Sequence, residues 1–308
     1  MPLPADFLEL ARQVNNWGRW GDDDERGTLN LITDEVVRAG AACVRSGKQF
    51  ALGLKLGPNG PQAGLIPGRI NPQHVMIAIH TPSAGDPELL CSNDDVVYLP
   101  TQAATHWDAL AHASYGGRMW NGFDPATVDV RGASKAGIDK VGSVVGRGVL
   151  LDVARVRGVE RLEPGTAITA ADLDAAEDAA GVRITAGDIV LVRTGHLQVF
   201  RAGDRVGYAI PSPGLSLETV PWLHSRDVAA VATDTIALEV VPSERDDLPL
   251  PVHLLHLVEM GLLQGQNWDL EALAADCAAD GQWSFLLSAT PEPVSRGTGG
   301  VVNPVAVK

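Results

Sequence analysis

The sequence predicts an α/β fold, and three observations carry that prediction. Short apolar runs such as DIVLV (188–192) and VAAVAT (228–233) read as strands buried on both faces. Segments with helical apolar spacing and capping signals stand between such runs. The 33 Gly and 20 Pro residues supply turns for a compact, turn-rich chain. Interleaved strands and helices are the α/β pattern.

Taken in order, PADFLELARQVNNW (4–17) has the apolar period of a helix. A Gly-rich acidic loop, WGRWGDDDERGTLNLIT, follows. TDEVVRAGAACVRSG (33–47) reads as a helix capped by Thr33 and stopped by Gly47. QFALGLKL (49–56) alternates like a strand. GPNGPQAGLIPGRINPQ (57–73) is a long loop of the kind that covers a site. HVMIAIHTP is a strand, and DDVVYLPTQAATHWDALAH (94–112) a strand that runs into a turn. GRGVLLDVARV is a buried strand. ITAADLDAAEDAAG is a helix with a capping signal at Thr169 and Asp172 and a stop at Gly181. DIVLVRTG is a strand, LSLETVPWLHSRD a helix, VAAVATDT a strand and LPVHLLHLVEMGLLQ (250–264) a helix. No repeat or low-complexity linker interrupts the chain, so residues 1–308 are expected to form one domain that includes a helical N-terminal region, 1–47.

Composition narrows the function. At 308 residues and 45% hydrophobic content the chain can bury a sizeable core. Its formal net charge of -14 repels phosphate backbones, so nucleic acid is not an expected partner. Cys43, Cys91 and Cys277 are scattered, with no C-x-x-C pair, which points to a reducing compartment and away from a cysteine zinc site. The N-terminus lacks a basic flank followed by an apolar segment, and no apolar run reaches the roughly 18 residues of a membrane helix. The expectation is a cytoplasmic protein with no membrane partner.

The segment TQAATHWDALAH (101–112) carries the chemistry. On an extended backbone His106 and Asp108 share a face, and Gln102 joins them if the strand continues back to it. Amide oxygen, imidazole and carboxylate are donors suited to Zn²⁺ or Mn²⁺. If the chain turns helical after Asp108, His112 faces that carboxylate and can act as a base or proton shuttle. Hydrogen-bonded structural histidines are the plain alternative.

The segment resembles the motif H-x-G-T-H-x-D-x-P-x-H of the metal-dependent cyclase/hydrolase family that includes bacterial kynurenine formamidase and isatin hydrolase. Thr105, His106, Asp108 and His112 match it, whereas Gln102, Ala104 and Leu110 replace His, Gly and Pro. DIVLVRTG, PSPGLSLETVPWL, VAAVATDTIALE and LPVHLLHLVEMGL resemble the family's C-terminal half in the same order, and WGRWGDDDERGTLN and YGGRMWNG a longer branch of it. The resemblance implies a swivelling β/β/α domain, usually a homodimer or homotetramer, with the N-terminal helices embracing a neighbouring subunit. It implies Gln102, His106 and Asp108 as metal ligands and His112 as the catalytic residue. It also implies a second cluster in two-metal members, to which LPVH would contribute His253. Gln266 stands where those members carry Glu, so one divalent ion per chain, Mn or Zn, is expected rather than two.

Further candidates come from position. Glu239, past the end of a buried strand, could approach the metal or orient a ligand from behind, as could Gln266. Arg193 could bind a substrate carboxylate, or form an internal ion pair. Trp107 and Trp120 could line a pocket for a flat substrate, or pack in the core. The resulting expectation is a metal-dependent hydrolase that uses an activated water to cleave a C–N bond in a small amide, formamide or lactam. The rivals are a lyase or cyclase acting by proton transfer beside a carbonyl, and a degraded small-molecule-binding protein.

Overall fold

Four parallel strands, Val145–Asp152, Ile189–Arg193, Ala230–Thr233 and Leu263–Gln266, make the middle of the protein. The computed structural model describes residues 3–308. The last three of these strands are buried along their whole length, as the apolar runs 188–192 and 228–233 predict for the first two of them. They belong to a nine-stranded mixed sheet. On one side it continues antiparallel through His106–Asp108 to Gly299–Val301. On the other it continues antiparallel through Ser284–Ser288 and Val305–Val307 to Gln49–Ala51.

Period-two alternation divides the apolar side chains between two cores. Ile189, Leu191, Ala230 and Ala232 enter one core with Trp107, Trp268 and the helix Glu271–Asp280. Val190, Val192 and Val231 enter the other with helices Ala170–Ala180 and Thr219–Ser225. Phe7 and Ala11 of the first helix, Ala5–Gln13, lie in that second core. The N-terminal region therefore packs into the same body as the sheet.

Several expected elements change at their ends. The capping box of Thr169 and Asp172 forms, and Gly181 closes the helix with φ 62°. The helix after Thr33 ends at Ala42 rather than at Gly47. Ser46 and Gly47 turn away to donate to the Lys308 carbonyl. Only Gln49–Ala51 of QFALGLKL is strand, because Leu52 and Leu54 bond to loop acceptors, Pro304 O and Thr105 Oγ1. The expected helix 250–264 divides into Pro251–His253, a π-helix Leu254–Met260 and the strand Leu263–Gln266. Gly261, at φ 65°, reverses the chain and delivers the next residues to the sheet.

Among the described residues, strands Gln73–Pro82 and Cys91–Tyr98 pair only with each other, as an exposed ribbon. Ile77, Ile79 and Tyr98 are each more than 60% exposed on it. Among the described residues, no helix is long and apolar enough to cross a membrane.

Candidate metal centre

Strand register assembles the site. Asp108 pairs with Gln264, Trp107 with Gly265 and His106 with Gln266. Alternation then sends His106, Asp108 and both glutamines to one face and Trp107 to the other. Gly265 is required there: a Cβ would lie 2.7 Å from Trp268 Nε1 and 2.9 Å from Trp107 Cζ3. The bare backbone lets the two indoles pack under the strand while its neighbours hold the site.

Asp108 is the hub. Its Oδ1 lies 3.5 Å from His106 Nε2 and 3.8 Å from His112 Nε2, and its Oδ2 lies 4.0 Å from His253 Nε2. Gln266 Nε2 donates to Oδ2 at 2.8 Å, with Gln264 Nε2 at 3.4 Å from the same atom. His106 Nδ1 bonds the Ala104 carbonyl at 2.7 Å, so Nδ1 carries the proton and Nε2 the lone pair. His253 Nδ1 bonds Glu239 Oε1, which likewise turns its Nε2 lone pair inward. The Glu239 carboxylate also accepts the backbone N–H groups of His253 (2.8 Å) and Val252 (3.2 Å). This carboxylate–imidazole relay is how metal-binding histidines are oriented.

The donor set fits a cation. Among the described residues, His106 Nε2 and Asp108 Oδ1 are buried lone-pair atoms that face each other without a hydrogen-bond partner. Positive charge between them, a proton or a metal ion, relieves that arrangement. Donors about 2.1 Å from a common ion stand about 3–4 Å apart, the range seen around Asp108. Among the described residues, no group of three or more His, Cys, Asp or Glu side chains forms a ready-made metal cage. The lone pairs converge on one carboxylate, and the chemistry suits an ion although the cage is not closed.

Electrostatics follow from this ring. Burial pushes the Asp108 carboxyl up, but the imidazoles of His112, His106 and His253 outweigh it and hold the group well below the usual carboxylate range. Asp108 raises His112, yet burial together with His253, His106 and Arg69 leaves it below the ordinary imidazole value. A neutral His112 can accept a proton near pH 7. Burial lowers His253, and Glu239 with Asp108 more than reverses this. His256, fully buried behind His253, is pushed by burial to about 3 and is a neutral packing residue.

Other expected residues go elsewhere. Gln102 is in a turn, because the strand begins only at His106. Its Oε1 accepts from Thr101 Oγ1 at 2.9 Å, and its Nε2 lies 3.4 Å from His112 Nδ1. The amide is thus placed on the outer nitrogen of His112 rather than on the face of Asp108. Gly299 leaves room for it: a Cβ there would lie 2.5 Å from Gln102 Nε2. Trp107 is buried beneath the strand and donates to the Ala289 carbonyl at 2.7 Å. Trp120 is buried against Trp20 and donates to the Asp24 carbonyl. Arg193 grips Glu271 through Nε (2.8 Å) and Nη2 (3.0 Å), and Asp152 through Nη1 (2.9 Å). These three side chains are structural, and none reaches the cavity.

A cavity of about 450 Å³ opens over the ring. Asp108, His112, His253 and Gln266 form its floor. One wall is loop 57–72, through Gln62, Ala63, Leu65, Ile66 and Arg69, as the sequence expectation of a covering loop requires. The other wall is apolar: Ala209, Ile210, Ile236, Ala237, Val241 and Leu250. Sequence reasoning passed over Gln264, Arg69 and this second wall. The alternating LQGQ was the one available signal, since a strand there must put both glutamines on one face.

The Cyclase family model ("Putative cyclase") matches residues 37–240. A crystal structure described as a novel cyclase is 39% identical and superposes with a TM-score of 0.88, over 97% of this chain and 99% of that one. The chain belongs to the Cyclase family. Isatin hydrolase A from Labrenzia aggregata, bound to benzyl benzoate, has the same fold at 21% identity and TM-score 0.64, over 89% of this chain and 97% of that one. A structure described as a "Potential Metal-Dependent Hydrolase With Cyclase Activity" shares the fold at 15% identity and TM-score 0.52, over 84% and 96% of the two chains. Among curated proteins, none matches the chain.

Proposed function

We propose that this family member is a metal-dependent hydrolase of a C–N bond in a small amide, formamide or lactam. The observation that carries the reading is the inward-facing, unpartnered pair His106 Nε2 and Asp108 Oδ1, at the floor of a largely apolar cavity. The hydrolase names of the structural neighbours support it. His106, Asp108 and His253 would hold one divalent ion, Mn²⁺ or Zn²⁺, with Glu239 and Gln266 orienting His253 and Asp108. Such an ion lowers the pKa of a water toward neutrality and polarises a carbonyl.

His112 supplies the proton transfer. It sits 3.8 Å from Asp108 Oδ1, borders the cavity and is neutral near pH 7. Its Nε2 takes a proton from the attacking water and returns it to the leaving nitrogen. That role needs the other ring proton on Nδ1, next to Gln102. With its amide turned over, Gln102 would accept Nδ1–H and donate to Thr101 Oγ1, leaving Nε2 free as the base. Apolar walls exclude bulk water from the reacting bond.

A screen of formanilides, lactams and cyclic imides in H₂¹⁸O tests the reading. Hydrolysis puts solvent oxygen into the new carboxylate, and His112→Ala should reduce turnover about 10²–10⁴-fold. A product free of ¹⁸O would point to lyase or cyclase chemistry, and full activity in His112→Ala would remove the assigned base. A second reading, a small-molecule-binding protein, draws on Gln264 and Gln266, whose amides approach Asp108 Oδ2 with no metal needed. Tight ligand binding without bound metal or turnover would favour it. We also propose that the chain is a cytoplasmic homo-oligomer, with the apolar ribbon 73–98 as its contact surface.

A further inference from the structure

We infer that Arg69 makes the cavity selective for an anionic ligand, one with a carboxylate at the end of an apolar body. The inference names a substrate class for the hydrolase proposed above and rests on that reading for the reaction.

Loop 57–72 is clamped at its base. Gln62 N–H donates to Asn71 Oδ1 at 2.8 Å, and Asn71 Nδ2 returns to the Gln62 carbonyl at 2.9 Å. Gln62 Nε2 also bonds the Ala103 carbonyl at 3.0 Å, which ties the loop to the turn before His106. Between these anchors a turn, Arg69 N–H to the Ile66 carbonyl at 3.1 Å, presents Arg69 to the cavity beside Leu65 and Ile66.

Arg69 is half-buried and lines the cavity. Arg193, Arg147 and Arg157 each have a carboxylate within 3 Å. Arg69 forms no side-chain hydrogen bond among the described residues, and it feels Asp108 only through space. Asp108 is already ringed by imidazoles and glutamine amides, so it is not Arg69's partner. The charged and titratable groups lining the cavity are Arg69, Asp108, His112 and His253. A guanidinium partly withdrawn from water, facing an apolar space, lacks the planar acceptor that a carboxylate supplies.

The test is titration calorimetry of the full chain, stripped of metal and dialysed free of chelator, with 2-naphthoate and its neutral isostere 2-naphthamide. The wild type should prefer the carboxylate by about tenfold or more. Arg69→Ala should abolish the preference and Arg69→Lys retain part of it, both with an unchanged melting temperature. Equal affinity for the two probes in the wild type, or an undiminished preference in Arg69→Ala, would overturn the inference. Failure of the hydrolase reading shows separately, as an intact carboxylate preference with no ¹⁸O incorporation. Hydrolysis of neutral amides with no carboxylate preference sinks the present inference alone.

Discussion

Replacing Glu239 with glutamine tests how the inward lone pair of His253 is held. The native carboxylate accepts three donors: His253 Nδ1, the His253 backbone N–H and the Val252 backbone N–H. Glutamine keeps one oxygen for His253 but turns an NH₂ group toward the Val252 N–H, so donor meets donor. It also removes the charge that keeps the Nδ1 proton in place and raises the affinity of His253 for positive charge. Buried charge-assisted hydrogen bonds contribute about 1.5–3 kcal/mol. Partners behind a ligand are worth about 10–100-fold in metal affinity, or about 1.4–2.8 kcal/mol. Glu239→Gln should therefore weaken Mn²⁺ or Zn²⁺ binding by one to two orders of magnitude, measured by competition with a chromogenic chelator. The fold should survive with a stability loss of about 1–3 kcal/mol by urea unfolding. Wild-type metal affinity in a folded variant would refute the relay.

Trp107→Phe should cost about 1–3 kcal/mol in urea unfolding, since it loses the Ala289 hydrogen bond in the core, while KM for any identified substrate stays unchanged; a raised KM would return Trp107 to the substrate site. At Asp172, burial pushes the carboxyl up but the Arg157 fork and the Thr169 bonds outweigh it, so its folded pKa lies below the ordinary carboxylate value. The stabilisation is therefore present above about pH 4 and lost as pH falls through the folded value; Asp172→Asn should be less stable than wild type at pH 6, the gap narrowing in urea melts as the pH is taken down through the folded pKa. A pH-independent gap would show that the cap acts through shape alone. Ile77→Asp with Ile79→Asp should reduce the mass found by light scattering to that of a single chain, and an unchanged mass would exclude the ribbon as the contact surface.

The parallel middle of the sheet was legible because strands buried on both faces must be apolar throughout, as Ile189–Arg193 and Ala230–Thr233 nearly are. The helix after Thr169 was legible because its cap is local chemistry. The convergence of His106, Asp108 and His112 was readable from spacing, although His112 arrives on a single 3-10 turn, Leu110–His112. Period two also implied that Trp107 points away from its neighbours, a consequence of the strand that its aromatic appeal obscured. Gln102 could not be placed, because the chain folds back through the Pro100–Ala103 turn before the strand starts. Arg193 faces Asp152 across a strand pair, a register that no local pattern encodes. Arg69 sits in a loop, where periodicity says nothing about direction.

The most direct measurement is elemental mass spectrometry of the chain after incubation with Mn²⁺ or Zn²⁺ and removal of free ion, with His106→Ala alongside. About one ion per wild-type chain and loss of most of it in His106→Ala is the predicted result. No retained ion, or the same content in His106→Ala, would contradict a metal centre built on His106 and Asp108.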